Sequence, residues 1–156
     1  MTKVMTRSLT VLIVEDHADC AGSLALLLSL YGYKVQTARN GHEAEQCVRR
    51  DPPDVLLMDI GLPREDGYAV AKRLRGIMER KPLLIALTGF GQDKDIQRSR
   101  DEGFDYHLVK PVDCRELVSL LERGEGCGLR ATNNEGEPSS ALTVIDDSRE
   151  RQAVDY

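Results

Sequence analysis

The stretch LTVLIVED at residues 9–16 is a short apolar run, rich in β-branched side chains, that ends abruptly at two acidic residues. DVLLMD at 54–59 has the same form and also ends at an acid. Continuous apolar runs of this length are typical of strands that are buried on both faces of a parallel sheet. Three further stretches have strand character: YKVQTA at 33–38, LLIALTG at 83–89 and YHLVKP at 106–111. The sequence therefore predicts five strands.

Helical patterns separate these strands. Apolar residues recur at helical spacing in two stripes, which end at Gly32 and Gly124: Cys20, Leu24, Leu27 and Tyr31, then Cys114, Leu117, Val118 and Leu121. Segments 41–50 and 66–80 supply two more helices between strands. We assign the leucine stripe at 24–30 to the hydrophobic core.

The stretch DKDIQRSRDEG at 93–103 is compatible with a helix but offers only Ile96 to the core. A helix with so little apolar surface gains little free energy from packing. We therefore predict a weakly anchored, mobile helix in this segment.

Strands alternating with helices over residues 9–123 predict an α/β fold, a (βα)5 doubly wound parallel sheet of five strands. Residues 1–8 form an N-terminal extension. Residues 124–156 hold seven acids against three arginines and few large apolar side chains, which predicts a disordered, flexible acidic tail. Within this tail, ALTVID at 141–146 is compatible with a short strand or a docking segment, but we favour the flexible tail.

Length and charge limit the classes of function. A chain of 156 residues has the size of one domain, and its net charge of -5 gives no broad basic face, so we predict no direct DNA binding. The longest apolar run, LALLL at 24–28, is too short to span a bilayer, and residues 1–8 lack the apolar segment of a signal peptide. We predict a cytoplasmic protein without membrane association. The spacing of its cysteines and histidines predicts reduced thiols and no transition-metal site.

Acidic and polar residues stand where the predicted strands end. Glu15 and Asp16 end the first strand, and Asp59, Thr88 and Lys110 end the third, fourth and fifth strands. These side chains meet, since the carboxyl ends of parallel strands lie at one edge of a sheet. Three neighbouring carboxylates repel one another unless a hard cation lies among them, and oxygen ligands suit Mg²⁺. The sequence therefore predicts a magnesium site at this edge.

Asp59 is the natural nucleophile of this site, because it ends the central strand and is followed by the turn-rich loop IGLPREDG. A carboxylate can attack phosphorus and form an acyl phosphate. Gly61 can bring a backbone carbonyl close to the metal. Thr88 and Lys110 fit as hydroxyl and ammonium donors to the phosphoryl oxygens.

These residues carry a resemblance to a known family. VLIVED, VLLMDIGLPREDG, LLIALTG and HLVKP, in this order and spacing, resemble the receiver domain of two-component response regulators, in the CheY-like superfamily. The resemblance covers residues 9–123 and implies a flavodoxin-like strand order of 2-1-3-4-5. The style of GFDYHLVKPVD at 103–113 is similar to receivers of hybrid histidine kinases, or to stand-alone receivers near them.

The resemblance also implies roles for the site residues. Asp59 accepts a phosphoryl group from a phosphohistidine on a sensor histidine kinase or a histidine phosphotransfer protein. Asp16, Asp59 and the Gly61 carbonyl ligate Mg²⁺ directly, and Glu15 acts through water. Thr88 and Lys110 bind the phosphoryl group, and the domain assists its own Mg²⁺-dependent phosphorylation and dephosphorylation without being a classical enzyme.

Two positions depart from the commonest pattern of the family. Glu15 stands where Asp is more usual, which lengthens the side chain by one methylene and changes its reach towards Mg²⁺. His107 stands where a Tyr or Phe commonly moves inward with the threonine. Two interpretations of His107 stay open: a switch residue paired with Thr88, or a half-buried surface residue. Tyr106, next to it on the strand, points to the other face.

Other functions fit this sequence less well. An electron carrier of the flavodoxin type needs a hydroxyl- and glycine-rich phosphate loop where this chain has EDHADC, and a phosphatase of the haloacid dehalogenase type needs an acid at the position of Gly61. No G-x-x-x-x-G-K-[ST] motif is present. The remaining alternative is a phosphorylation-independent receiver-like interaction module. In either case we expect signalling through a downstream protein target, and a homodimer stays open.

Overall fold

The computed structural model describes residues 9–89, 93–126 and 142–144 of the chain. Its strands and helices alternate along the sequence in this order: β1 Thr10–Val14, α1 Ala18–Leu30, β2 Lys34–Ala38, α2 Gly41–Arg50, β3 Val55–Asp59, α3 Gly67–Gly76, β4 Leu83–Thr88, α4 Asp93–Asp101, β5 Tyr106–Val109, α5 Cys114–Gly126 and β6 Leu142–Val144. Strands β1 to β5 are parallel and lie in the order β2-β1-β3-β4-β5. The predicted (βα)5 fold and its strand order are confirmed.

The central strands β1, β3 and β4 are buried along their whole length, as their continuous apolar sequences predict. Helices α1 and α5 cover one face of the sheet, where their leucines pack against alternate strand residues. Helices α2 and α3 cover the other face. Each apolar strand therefore has a packed layer on both sides, and the polar residues at its end lie at the sheet edge.

Helix α1 buries a narrower face than its sequence suggested. Ala21, Leu24 and Leu28 are buried, whereas Leu26 is 64% exposed and Leu30 is 75% exposed. Assigning the whole stripe at 24–30 to the core was wrong. A single helix turns only one side towards the sheet, and the leucine run is longer than that side can accommodate. Cys20 and Tyr31, also expected on the inner stripe, are exposed.

The sheet has a sixth strand. Residues 142–144 pair antiparallel with β5, in the register Tyr106↔Val144 and Leu108↔Leu142. The strand interpretation of ALTVID, which we did not favour, is therefore the one that this structure shows for these three residues. Pairing there satisfies backbone groups that an edge strand leaves open. Helix α5 continues to Gly126, and the rest of the predicted tail, 127–141 and 145–156, lies outside the described residues, as does the extension 1–8.

Candidate functional site

The carboxyl ends of β1 and β3 bring three acids together. One carboxylate oxygen each from Glu15, Asp16 and Asp59 lies within 4.8 Å of the other two. Glu15 and Asp59 are buried, with 1% and 4% of their surfaces exposed, and Asp16 is half-buried. Such a cluster is unfavourable without positive charge beside it.

Lys110 supplies a positive charge from the end of β5. Its Nζ atom lies 2.9 Å from Glu15 Oε1 and 3.2 Å from Asp59 Oδ2. Partial burial by itself would lower the pKa of the Lys110 ammonium, but the hydrogen bond to Glu15 and the charges of Asp59 and Glu15 outweigh it, so the pKa is raised. Lys110 is therefore protonated at neutral pH. The bond between Lys110 and Pro111 is cis.

Backbone contacts fix the position of Asp59. Its Oδ1 atom accepts a hydrogen bond of 2.9 Å from the Gly61 amide, and the next residue, Ile60, donates to the Leu87 carbonyl over 2.9 Å. Gly67, the first residue of α3, approaches so closely that a Cβ atom there would lie 2.6 Å from the Asp59 carbonyl oxygen. The backbone at Asp59 is thus held between β4 and the start of α3, and the Gly61 amide orients the carboxylate.

Glu15 has contacts on both carboxylate oxygens. Oε1 meets Lys110, and Oε2 accepts a hydrogen bond of 3.1 Å from the His17 amide at the start of α1. The longer side chain of a glutamate is thus held between the lysine and the first turn of the helix. Thr88 is buried at the end of β4, and its carbonyl accepts a hydrogen bond of 2.8 Å from the Lys110 amide. All five predicted strand-end residues lie at one edge of the sheet.

The model of a known protein family matches most of the chain. The family described as the response regulator receiver domain matches residues 11–122. The chain belongs to the response regulator receiver domain family.

Relatives of this receiver domain include longer proteins. A probable transcriptional regulator, ycf27, of Porphyra purpurea is 34% identical over 139 residues, which cover 86% of this chain and 55% of that protein. The response regulator MprA of Mycobacterium tuberculosis is 36% identical over 114 residues, covering 73% of this chain and 49% of that protein. The chain therefore spans about half the length of these relatives.

Solved structures share the fold of this receiver domain. A putative response regulator from Chloroflexus aurantiacus is 32% identical, with a TM-score of 0.66, and the match covers 74% of this chain and 96% of that one. A receiver domain from Methylobacillus flagellatus is 29% identical, with a TM-score of 0.65 and coverage of 74% and 98%.

The acidic cluster fits a magnesium ion. Receiver domains bind Mg²⁺ at an acidic cluster, and Glu15, Asp16 and Asp59 form one in this receiver domain. Their carboxylates are hard oxygen donors, which Mg²⁺ prefers. At Gly61, the amide is the group that contacts Asp59.

An apolar cleft opens beside this site. It has a volume of about 310 Å³ and reaches from the first turn of α1 to the start of α5. Glu15 and Lys110 lie at its polar end, and Leu24, Leu87 and Val112 line its apolar part. A larger cavity, of about 520 Å³, lies around Asp54 and Arg80 at the opposite end of the sheet, away from the cluster of Glu15, Asp16 and Asp59.

His107 is fully buried, so the interpretation as a half-buried surface residue is wrong. Its Nδ1 atom lies 3.1 Å from Ser99 Oγ on α4, and Ser99 Oγ lies 3.0 Å from the Tyr68 hydroxyl on α3. Tyr106 packs with the α1 and α5 cluster on the other face, as expected. Sequence reasoning missed Ser99 and Tyr68, because a serine in a polar helix and a tyrosine near a helix start carry no signal of a buried contact.

Proposed function

We propose that this receiver domain accepts a phosphoryl group on Asp59 from a phosphohistidine and signals by protein contacts. The donor is a sensor histidine kinase or a histidine phosphotransfer protein. The observation that carries the proposal is the position of Lys110, whose ammonium lies 3.2 Å from Asp59 Oδ2 beside the acidic cluster. A carboxylate with a fixed cation next to it meets the main requirement of phosphoryl transfer, which is positioning and charge neutralisation.

The transfer exchanges one bond for another. An Asp59 carboxylate oxygen attacks phosphorus, an O–P bond forms, and the N–P bond of the phosphohistidine breaks with its electron pair left on the imidazole nitrogen, which then takes a proton. Magnesium, held by Glu15, Asp16 and Asp59, would neutralise charge on the phosphoryl oxygens. The Gly61 amide orients the Asp59 carboxylate. Lys110 and the Thr88 hydroxyl are the proposed donors to the phosphoryl group.

The cleft beside the site supports docking of a protein donor. Its apolar part, lined by Leu24, Leu87 and Val112, leads to Lys110 and Glu15. A partner helix that carries the phosphohistidine can place an apolar side chain there while the imidazole reaches Asp59. The net charge of the chain, -5, favours a protein partner over nucleic acid, and direct DNA binding by this chain is not part of the proposal.

Phosphorylation would be transmitted to a surface within residues 89–112, of which the structure describes residue 89 and residues 93–112. Movement of Thr88 towards the phosphoryl group shifts a pre-existing equilibrium of this surface, which binds the downstream protein. Helix α4 lies in this surface and shows Ile96 only half-buried. None of the helices in the described ranges has the length and apolar character that crossing a membrane requires. Separately, the proposal includes a cytoplasmic site of action.

Intact-protein mass after incubation with acetyl phosphate and Mg²⁺ tests the proposal. Wild-type protein should gain one phosphoryl group, and Asp59→Asn or EDTA should abolish the gain. Asp54→Asn is the matched control, because Asp54 is also a buried aspartate but lies at the other end of the sheet, where it pairs with Arg80.

The opposite result has a defined meaning. A wild-type protein that gains no phosphoryl group from acetyl phosphate or from a panel of phosphorylated histidine kinases would favour the phosphorylation-independent interaction module. A gain that persists in Asp59→Asn would place the acceptor elsewhere.

A further inference from the structure

A buried row of polar side chains joins three elements on the α3 side of the sheet. The Tyr68 hydroxyl of α3 lies 3.0 Å from Ser99 Oγ of α4, which lies 3.1 Å from Nδ1 of His107 in β5. Ser99 and His107 are each 0% exposed. Buried polar groups are stable only when they are hydrogen-bonded, so this row constrains how α4 sits on the sheet.

A second set of contacts joins the same helices at the surface. The Arg98 guanidinium of α4 lies 2.8 Å from Asp66 Oδ2 and 4.3 Å from the centre of the Tyr68 ring. Asp66 also caps α3, since its side chain accepts a hydrogen bond from the Tyr68 amide. An exposed ion pair contributes little alone, but these contacts hold the Tyr68 ring where its hydroxyl meets Ser99.

The row ends close to the phosphoacceptor on both sides. Tyr68 follows Gly67, whose backbone packs directly against the Asp59 carbonyl. At the other end, His107 lies three residues before Lys110 and pairs with Ala86, two residues before Thr88. A change at the Asp59 site can therefore reach Ser99 from both α3 and β5.

The described side chains of α4 offer little apolar packing. Among its side chains from 96 to 101, Ser99 is the buried one and Ile96 is only half-buried. A hydrogen bond contributes a small net free energy, equivalent to a population change of about threefold to tenfold. An anchor of that size is strong enough to set the position of a helix and weak enough for a bound group to overcome.

We infer that Tyr68, Ser99 and His107 form a latch that holds α4 in the position that the structure shows, and that phosphorylation of Asp59 acts on the α4 surface by releasing Ser99 from this latch. The second part rests on the proposed function. A latch of this kind can be distinguished from a hydrogen-bonded contact that only stabilises the core. If the latch exists, breaking the row and phosphorylating Asp59 both act on α4, and their effects on α4 are not additive.

Tyr68→Phe tests the latch, because it removes only the hydroxyl and keeps the ring, which packs edge-on against Phe104 at 5.7 Å and lies under Arg98. In the unphosphorylated full chain, amide hydrogen exchange of residues 96–103 should be about threefold to tenfold faster in this variant, with exchange in β1 unchanged. Ser99→Ala should have a similar effect. The double variant should not exchange faster than either single variant by a further factor of about three to ten, because both substitutions break the same row.

Gln97→Ala is the control, since Gln97 lies on the exposed side of the same helix and bonds only to Asp101 among the contacts described for it. Its exchange in 96–103 should equal that of the wild type to within about twofold. If Tyr68→Phe and Ser99→Ala behave like Gln97→Ala, the latch does not exist.

A second experiment tests whether phosphorylation acts through the latch. Beryllium trifluoride with Mg²⁺, a phosphoryl mimic, should speed exchange of residues 96–103 in the wild type and in Gln97→Ala, but add little in Tyr68→Phe. An equal acceleration in all three proteins would show that the signal does not pass through the latch. Intact mass with acetyl phosphate reports separately on Asp59, so failure of the proposed function and failure of the latch give different results.

Discussion

Lys110 lies closer to Glu15 than to the phosphoacceptor, at 2.9 Å from Glu15 Oε1 against 3.2 Å from Asp59 Oδ2. In the proposed magnesium site, Glu15 would contact the metal in addition to Lys110 and the His17 amide. Glu15→Gln keeps the shape of the side chain but removes one of the three negative charges. We expect the Kd for Mg²⁺ to rise about fivefold to fiftyfold, because fewer carboxylates face the cation. Isothermal titration calorimetry measures this change.

Glu43→Gln is the control for that experiment. Glu43 is a carboxylate on α2 that pairs with Arg39 at the surface, so its loss should leave the Kd for Mg²⁺ unchanged. An equal Mg²⁺ affinity in Glu15→Gln and wild type would exclude Glu15 from the metal site.

The raised pKa of Lys110 determines how its contribution to stability depends on pH. A lysine whose pKa is higher in the folded chain than its ordinary 10.5 stabilises the fold below about pH 10.5 and loses this effect as pH rises through the folded-state pKa. Lys110→Gln should therefore be less stable than wild type by about 1–2 kcal/mol at pH 8, and the difference should shrink as the pH rises beyond 10.5. Urea unfolding at a series of pH values measures the free energies.

Lys72→Gln provides the comparison, because Lys72 is exposed on α3. This variant should stay within about 0.5 kcal/mol of wild type at every pH. If the difference in free energy of unfolding between Lys110→Gln and wild type grew at alkaline pH, that result would contradict the ion pairs described for Lys110.

Two glycines in helices should respond to alanine in opposite directions. At Gly67 a Cβ atom would meet the Asp59 carbonyl oxygen at 2.6 Å and Ile60 Cα at 2.7 Å, both in backbone that cannot move cheaply. At Gly22, inside α1, a Cβ atom meets nothing within 4 Å. Gly67→Ala should lower the free energy of unfolding by about 1–3 kcal/mol, whereas Gly22→Ala should raise it by about 0.5–1 kcal/mol.

Urea unfolding of both glycine variants checks these values. Gly67→Ala should also slow phosphorylation by acetyl phosphate, since it displaces the backbone that carries Asp59. Similar stability of the two variants would mean that α3 does not approach β3 as closely as the structure has it.

The described cysteines should react with iodoacetamide in a fixed order. Cys20 is exposed and Cys47 is buried. The pKa of the Cys114 thiol is raised by burial and, to a smaller extent, by the charge of Asp113. Alkylation needs the thiolate. At pH 7.5, peptide mass spectrometry should show Cys20 modified first, Cys114 more slowly and Cys47 last, with the differences lost in urea. Modification of Cys114 before Cys20 would contradict the burial at the start of α5.

Much of this fold follows from short-range sequence signals. The runs that form β1, β3 and β4 are mostly apolar and end at polar or acidic residues. The strand positions and the meeting of Glu15, Asp59 and Lys110 could therefore be predicted from the order of these runs along the chain. The inner face of α1 could not, because four leucines in five positions satisfy several helical faces equally, and only packing against the sheet selects Leu24 and Leu28.

The features that could not be predicted from the sequence depend on contacts between elements that are far apart along the chain. Ser99 and Tyr68 become significant only when α4 and α3 pack side by side over His107, a long-range arrangement that no local pattern encodes. The strand at 142–144 likewise depends on a free edge at β5 to pair with. The flexible tail was predicted from the composition of residues 124–156 as a whole, and three residues that pair with β5 are too few to change that composition.

The position of β6 affects where a strand from another protein can pair with the sheet. With β6 paired to β5, an incoming strand can pair with β5 only if it first displaces β6, and the border on that side is the three-residue strand β6 itself. Among the described strands, β2 forms the opposite border of the sheet. Its exposed Lys34 places a charge there of the kind that discourages edge-to-edge aggregation. One border of the sheet is thus a strand of only three residues, and the other carries a charged side chain.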